Sequence, residues 1–217
     1  MSEAATTGRD RQTTLADRLL EVIAVLLLGV TTVGTAWCGY EASQWNGQQS
    51  DLARQSSDDR VEAGRLFGLA SQKVAYDSSI IAQYATAAQQ GNTPLTEFYK
   101  KTLVRPDFLP VLEKWEAEVR AGGTPTNLFQ DTDYLNAQFA DYRAAVASAE
   151  QATEASQAAG ANGDAYVITT ILLAVGLFFA GVTSSFRFRP AQLMMLILAV
   201  GTVAVAASRL AQLPVLW

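Results

Sequence analysis

The stretch AYVITTILLAVGLFFAGVTSSF, residues 165–186, decides the fold. It runs for 22 residues without a charge, and a helix needs roughly 20 apolar residues to cross the hydrocarbon core of a bilayer. Two further uncharged windows, residues 22–40 and 190–208, are 19 residues each. The three windows rule out a soluble globular domain. The 217-residue chain reads as an all-α integral membrane protein with three transmembrane helices. No alternating apolar and polar pattern of the kind a strand needs occurs anywhere.

The residue inventory removes several kinds of chemistry. There is no His, so His-based triads, His metal sites and His pH switches are excluded. The single Cys, Cys38, allows neither an internal disulfide nor a cysteine-cluster zinc site. A net charge of −5 argues against a nucleic-acid partner, which needs a basic footprint. Nucleotide-binding glycine loops, HExxH and GxSxG are absent. The expectation is a protein that is not an enzyme and takes no cofactor or metal.

Charge on the short flanks orients the spans. The N-terminal tail carries Arg9, Arg11 and Arg18, and the connection between the second and third windows is Arg187-Phe188-Arg189. Short segments rich in Lys and Arg stay cytoplasmic. This predicts a flexible cytoplasmic tail over 1–18, a first span over 19–40, an extracytoplasmic helical domain over 41–163 and a second span over 164–186. A cytoplasmic turn over 187–189, a third span over 190–209 and an extracytoplasmic C-terminus over 210–217 complete the layout. With no eukaryotic targeting sequence evident, the expected location is a bacterial inner (plasma) membrane. The first span also has features of a signal peptide, with Arg residues, an apolar run and the small-x-small site Gly34-Thr35-Ala36. Its apolar run continues to Tyr40, which favours an uncleaved anchor. Trp37 stands before Cys38 where lipidation wants a small residue.

The middle segment reads as an outward helical hairpin capped by short helices. Residues 41–90 contain no Pro, so one helix is expected to continue out of the first span. Ala63, Leu66/Phe67, Ala70, Val74, Ile81, Ala85 and Ala88 form its apolar stripe, whereas 41–60 is polar nearly all round. Gly91-Asn92-Thr93-Pro94 ends it. Short helices are expected over 95–103 and 108–120, separated by Arg105-Pro106. The second has Leu112, Trp115 and Val119 on one face and Glu116/Arg120 as an i,i+4 pair. Residues 131–161 read as a long return helix, Ala-rich over 144–159, that packs antiparallel on 41–60. Its apolar face is Leu135, Gln138/Phe139, Tyr142, Ala145, Ala149, Ala152, Ala155 and Ala159. A hinge is expected at 160–164 before the second span.

Two blocks carry a resemblance. Trp37-Cys38-Gly39-Tyr40-Glu41-Ala42-Ser43-Gln44-Trp45-Asn46-Gly47-Gln48-Gln49 resembles the W-x-G-Y-x-A-x-x-W-x-G-x-Q signature of a family of uncharacterised bacterial three-span membrane proteins. Phe98-Tyr99-Lys100 through Arg105-Pro106-Asp107-Phe108 to Trp115 is similar to that family's F-Y-x-x-R-x-x-x-x-P-x-x-x-x-W pattern. A later N-P-x-x-x-F stretch departs from it, since Thr126-Asn127-Leu128-Phe129 lacks the Pro. The resemblance covers most of the chain and implies the three-span layout with a helical insert, but no activity.

Several residues are candidates for contact. Trp37, Tyr40, Gln44 and Gln48 fall at spacings of three and four and share a helix face where the first span leaves the bilayer, with Trp45 beside them. They suit either an ordinary interfacial belt or a specific surface for a partner or headgroup. Gly176, Ala180 and Ser184 form a small-xxx-small ladder, which serves packing within the chain or self-association. Arg18 and Glu21 mark the inner membrane edge as an i,i+3 pair. Arg209 marks the outer edge, either snorkelling or pairing with Glu41 or Asp164. The polar set Gln44, Gln48, Gln49, Ser50, Gln55, Ser56 and Ser57 suits a solvated face or a vestibule. No ionisable residue lies near the middle of a span, which argues against a proton or ion transporter. The leading expectation is a membrane-anchored scaffold or accessory subunit that presents its outer domain to a protein partner. An oligomeric channel and a ligand-sensing module acting through a partner chain are the alternatives. The lipid bilayer is the environment common to all three.

Overall fold

A computed structural model describes residues 15–124, 127–183, 185–186 and 188–216. Ser184, Arg187, Trp217 and the tail arginines Arg9 and Arg11 lie outside the described residues. The elements are helices α1 (Leu15–Gln89), α2 (Thr93–Phe98), α3 (Leu109–Arg120), α4 (Thr132–Gln138), α5 (Ala140–Thr183) and α6 (Arg189–Leu210). A π-helical turn, Tyr99–Leu103, follows α2, and a 3₁₀ turn, Leu128–Gln130, precedes α4. No strand occurs among the described residues. Three helices, α1, α5 and α6, are long and apolar enough to cross a membrane. The fold is all-α with three spans, as the charge-free windows require.

Contacts divide the chain into two compact units, residues 1–51 with 155–217, and residues 52–154. The boundaries fall at 51/52 within α1 and at 154/155 within α5. Both helices pass them unbroken. Helix also begins earlier than expected, because residues 15–18, read as tail, already belong to α1.

In the spanning unit small residues let the helices approach, and threonines satisfy their own polarity. A Cβ on Gly34 would stand 3.2 Å from Leu173 Cδ1, and one on Gly176 would stand 2.8 Å from Val203 Cγ2. Such approaches let spans pack closely. Thr31, Thr35, Thr169, Thr170, Thr183 and Thr202 each donate their hydroxyl to the carbonyl four residues earlier, so their polarity stays inside their own helix. Val22, Val30, Val33, Ile171, Phe178 and Ile197 are exposed, as lipid-facing side chains must be. Nearer the polar end, Ser156 Oγ donates to the Gln49 carbonyl at 2.9 Å. Gly160 lies against the Gln49 side chain and Gly163 against Asn46. The expected hinge at 160–164 is corrected accordingly. Both glycines are buried within continuous helix and serve close approach.

The second unit is the helical head. Gly91 (φ 65°) ends α1, and Asn92 caps α2 by accepting the Leu95 N–H at 3.2 Å. Gly122 (φ 76°) ends α3, with the Gly123 N–H reaching back to the Glu118 carbonyl at 3.0 Å, a closure that favours Gly. Asp131 caps α4 through the Tyr134 N–H at 3.0 Å. The return helix is not single: Phe139 (φ −100°, ψ 13°) separates α4 from α5. The core is Val74, Tyr84, Phe108, Leu112 and Tyr134, flanked by Ile81, Tyr99, Trp115 and Phe139. Phe108 and Leu112 are wholly buried. Phe108 meets Tyr134 edge-on, and Tyr84 meets Trp115 the same way. The buried stripe of α1 is Ala63, Ala70, Val74, Asp77, Ile80, Tyr84 and Ala87. It passes one residue from the expected Ile81, Ala85 and Ala88, and Ala88 is exposed. Below this core the helices meet through short side chains. Ser56 and Thr153 hydroxyls are 2.7 Å apart, and Ser148 Oγ donates to Asp59 at 2.8 Å.

Candidate functional site

One end of the spanning unit gathers groups from all three spans. Cys38, Ala42, Tyr166, Leu173 and Ala206 form a buried cluster, with Trp45, Leu172, Leu210 and Leu213 packed on it. Beyond α6 the chain turns back, and residues 213–216 lie over this cluster. Trp45 Nε1 and Tyr166 Oη both donate to the Pro214 carbonyl. The Leu216 N–H donates to Glu41 Oε2 at 3.1 Å.

Glu41 is the unusual member. It is fully buried, and its other oxygen, Oε1, has no hydrogen-bond partner. Buried polar atoms are nearly always paired. The expected pairing of Glu41 with Arg209 does not occur: Arg209 is exposed in the last turn of α6, and Glu41 is met by a backbone amide. Asp164, the other expected partner, is also exposed.

On another face of α1 the side chains are free. Trp37 and Tyr40 are 42% and 53% exposed, with ring centroids 6.0 Å apart. Gln44 Nε2 donates to Tyr40 Oη at 2.7 Å, and Gln48 is exposed one turn on. Trp45 does not join this face, because its indole N–H is committed to Pro214. Tyr40 and Gln44 thus pre-arrange a polar pair on a surface that nothing else in the spanning unit covers.

The small-residue ladder of the second span turns inward. Gly176 faces Thr202 and Val203 of α6, and Ala180 is buried. This surface is occupied within the chain and does not offer a free face for self-association. Its third member, Ser184, lies outside the described residues, as does Arg187. At the other membrane edge Arg18, Glu21 and Arg189 are all exposed. Of the expected vestibule residues, Ser56 is buried against Thr153.

In the head, a second buried carboxylate is fully partnered. Asp77, 1% exposed, accepts from Arg105 Nε at 2.9 Å, from Arg105 Nη2 at 2.5 Å and from Tyr134 Oη at 2.6 Å. Arg105 reaches Gln138 as well. Burial, and then the bond to Asp77, push the Tyr134 phenol well above its ordinary range. Tyr84 is pushed up to about 12 by burial first and then by its bond to Glu116. The expected Glu116/Arg120 pair is corrected here. The Glu116 carboxylate takes Lys100 at 3.1 Å and Tyr84, while Arg120 Nε donates to the Glu116 backbone carbonyl. These networks pin the π-turn, the following loop and α4 to α1. They are closed and structural. Sequence reasoning missed Asp77 and Tyr134, and named Glu41 only as a possible partner of Arg209. For Asp77 the trace was an acid lying three residues after Val74 on an otherwise apolar stripe.

Among the described residues no group of three carboxylate or thiol side chains is placed to hold a metal ion. No family model, no curated protein and no solved structure matches the chain.

Proposed function

We propose that this protein is a non-enzymatic, membrane-anchored accessory subunit that offers the outer end of its first span, with the helical head beyond it, to a protein partner. The observation that carries the reading is the exposed Trp37–Tyr40–Gln44 face. Two large aromatics lie in contact on one helix surface, with a hydrogen bond already formed between Tyr40 and Gln44. Aromatic residues with a polar handle are favoured where a surface is to be buried against another protein. In the proposed topology the N-terminus is cytoplasmic, held there by Arg18, Arg187 and Arg189, and residues 41–163 are outside a bacterial inner membrane. The resemblance of this block to the first-span signature of uncharacterised bacterial three-span membrane proteins supports the layout alone.

A photo-crosslinking residue at position 48, irradiated in native membranes, tests it. The expected outcome is one discrete adduct with a second, different protein, lost in Trp37→Ala/Tyr40→Ala. Adducts with lipid alone, or with a second copy of this chain, overturn the accessory-subunit reading.

A further inference from the structure

A second site lies between α5 and α6 in the spanning unit. A cavity of about 680 Å³ opens there, within the size range of small-molecule pockets. One end is apolar, with Ala204, Val205 and Thr169 in its wall. Thr169 is fully buried and donates its hydroxyl to the Ala165 carbonyl, so it adds no free polar group. The other end carries Ser208, Arg209 and Gln212. Among the described residues no carboxylate pairs with Arg209.

The occupant follows from the chemistry of these two ends. A guanidinium presents a planar fork of N–H donors that matches phosphate oxygens. A hydroxyl and a carboxamide beside it add further donors. Arg209 ends an uncharged run of 19 residues, at the depth where apolar span gives way to polar surface and phospholipid phosphates reside. A free phosphate would leave the apolar half of the cavity unused. We propose that this cavity binds one bilayer phospholipid, its phosphate on Arg209, Ser208 and Gln212 and its glycerol and first acyl carbons along Ala204 and Val205. The inference rests on the reading of α5 and α6 as membrane spans.

Native mass spectrometry of delipidated protein in mild detergent tests it. The additions are phosphatidylglycerol, phosphatidylethanolamine, a diacylglycerol with the same chains, and inorganic phosphate. One phospholipid of either headgroup should be retained, diacylglycerol should not, and inorganic phosphate should fail to displace the lipid. Arg209→Gln should lower the bound fraction about tenfold, as loss of a charge-assisted bond predicts. Arg209→Lys, which keeps the charge, should lie between. Ala204→Trp should also lose the lipid by filling the apolar end. Equal retention by wild type and Arg209→Gln overturns the proposal, as does displacement by inorganic phosphate or equal retention of diacylglycerol. Resistance of each variant to carbonate extraction reports separately on whether the spans are in the membrane.

Discussion

Trp45 on α1 and Tyr166 on α5 donate to one acceptor, the Pro214 carbonyl oxygen, at 3.2 and 3.0 Å. Two spans are thereby tied to the segment that follows the third. A carbonyl has two lone pairs, so either donor alone still satisfies it. Tyr166→Phe or Trp45→Phe should each cost about 1 kcal/mol. The double variant leaves the carbonyl without a donor and should cost more than the sum, by about 0.5 kcal/mol or more. Denaturant unfolding of the four proteins in one detergent measures this, and strict additivity would refute the shared-acceptor account.

Glu41 should respond differently to the loss of its charge and the loss of its shape. Glu41→Gln keeps an oxygen for the Leu216 N–H and nearly the same shape. Its stability should stay within about 1 kcal/mol of wild type. Glu41→Ala strands the amide and leaves a void, and should cost about 2–3 kcal/mol. Thermal unfolding distinguishes them, and equal losses would show that the carboxylate itself is what the site needs.

The head should depend on Asp77 more than on any exposed charge. Asp77→Ala removes the acceptor of Tyr134 and the main one of Arg105, which keeps Gln138 and Asp107, and should cost about 3 kcal/mol, the low end for breaking a buried pair. Tyr134→Phe, which keeps the ring packing and the ion pair, should cost about 1 kcal/mol. Hydrogen exchange over 93–138 should rise in the first variant and barely change in the second.

The phenol of Tyr84 sets a high-pH limit on the head. Its folded value, about 12, lies above the ordinary 10.0, so folding favours the neutral form. That contribution is complete below pH 10.0 and is lost as pH rises through about 12. Stability should therefore fall across this interval, and less steeply in Tyr84→Phe. A pH-resolved unfolding series on both proteins checks it, and superimposable profiles would be the contrary result.

The spans were legible because twenty uncharged residues have few other uses. The end of α1 was legible because Gly91, at φ 65°, does a job that few residues can do. The stripe of α1 was displaced after Val74 because Ile80 and Ile81 satisfy the same apolar pattern, and only tertiary packing chooses between them. The role of Asp77 was not legible because its partners are 28 and 57 residues away. The burial of Glu41 was invisible for the same reason: its partner is a backbone amide, which every residue except Pro has. The free Trp37–Tyr40–Gln44 face was half legible, since helical spacing groups these residues but cannot show that Trp45 turns away.

The threonines and Glu41 also differ in when they are satisfied. Each threonine hydroxyl finds its acceptor four residues back, within its own helix. Glu41 waits for an amide 175 residues later in the chain. At a synthesis rate of about 5–20 residues per second that is on the order of ten seconds or more. Through that interval the Glu41 carboxylate lacks the donor that it has in the folded protein. The bond from Leu216 ties the first span to the segment after the third only once residue 216 is made, and a chain released before that residue would lack it.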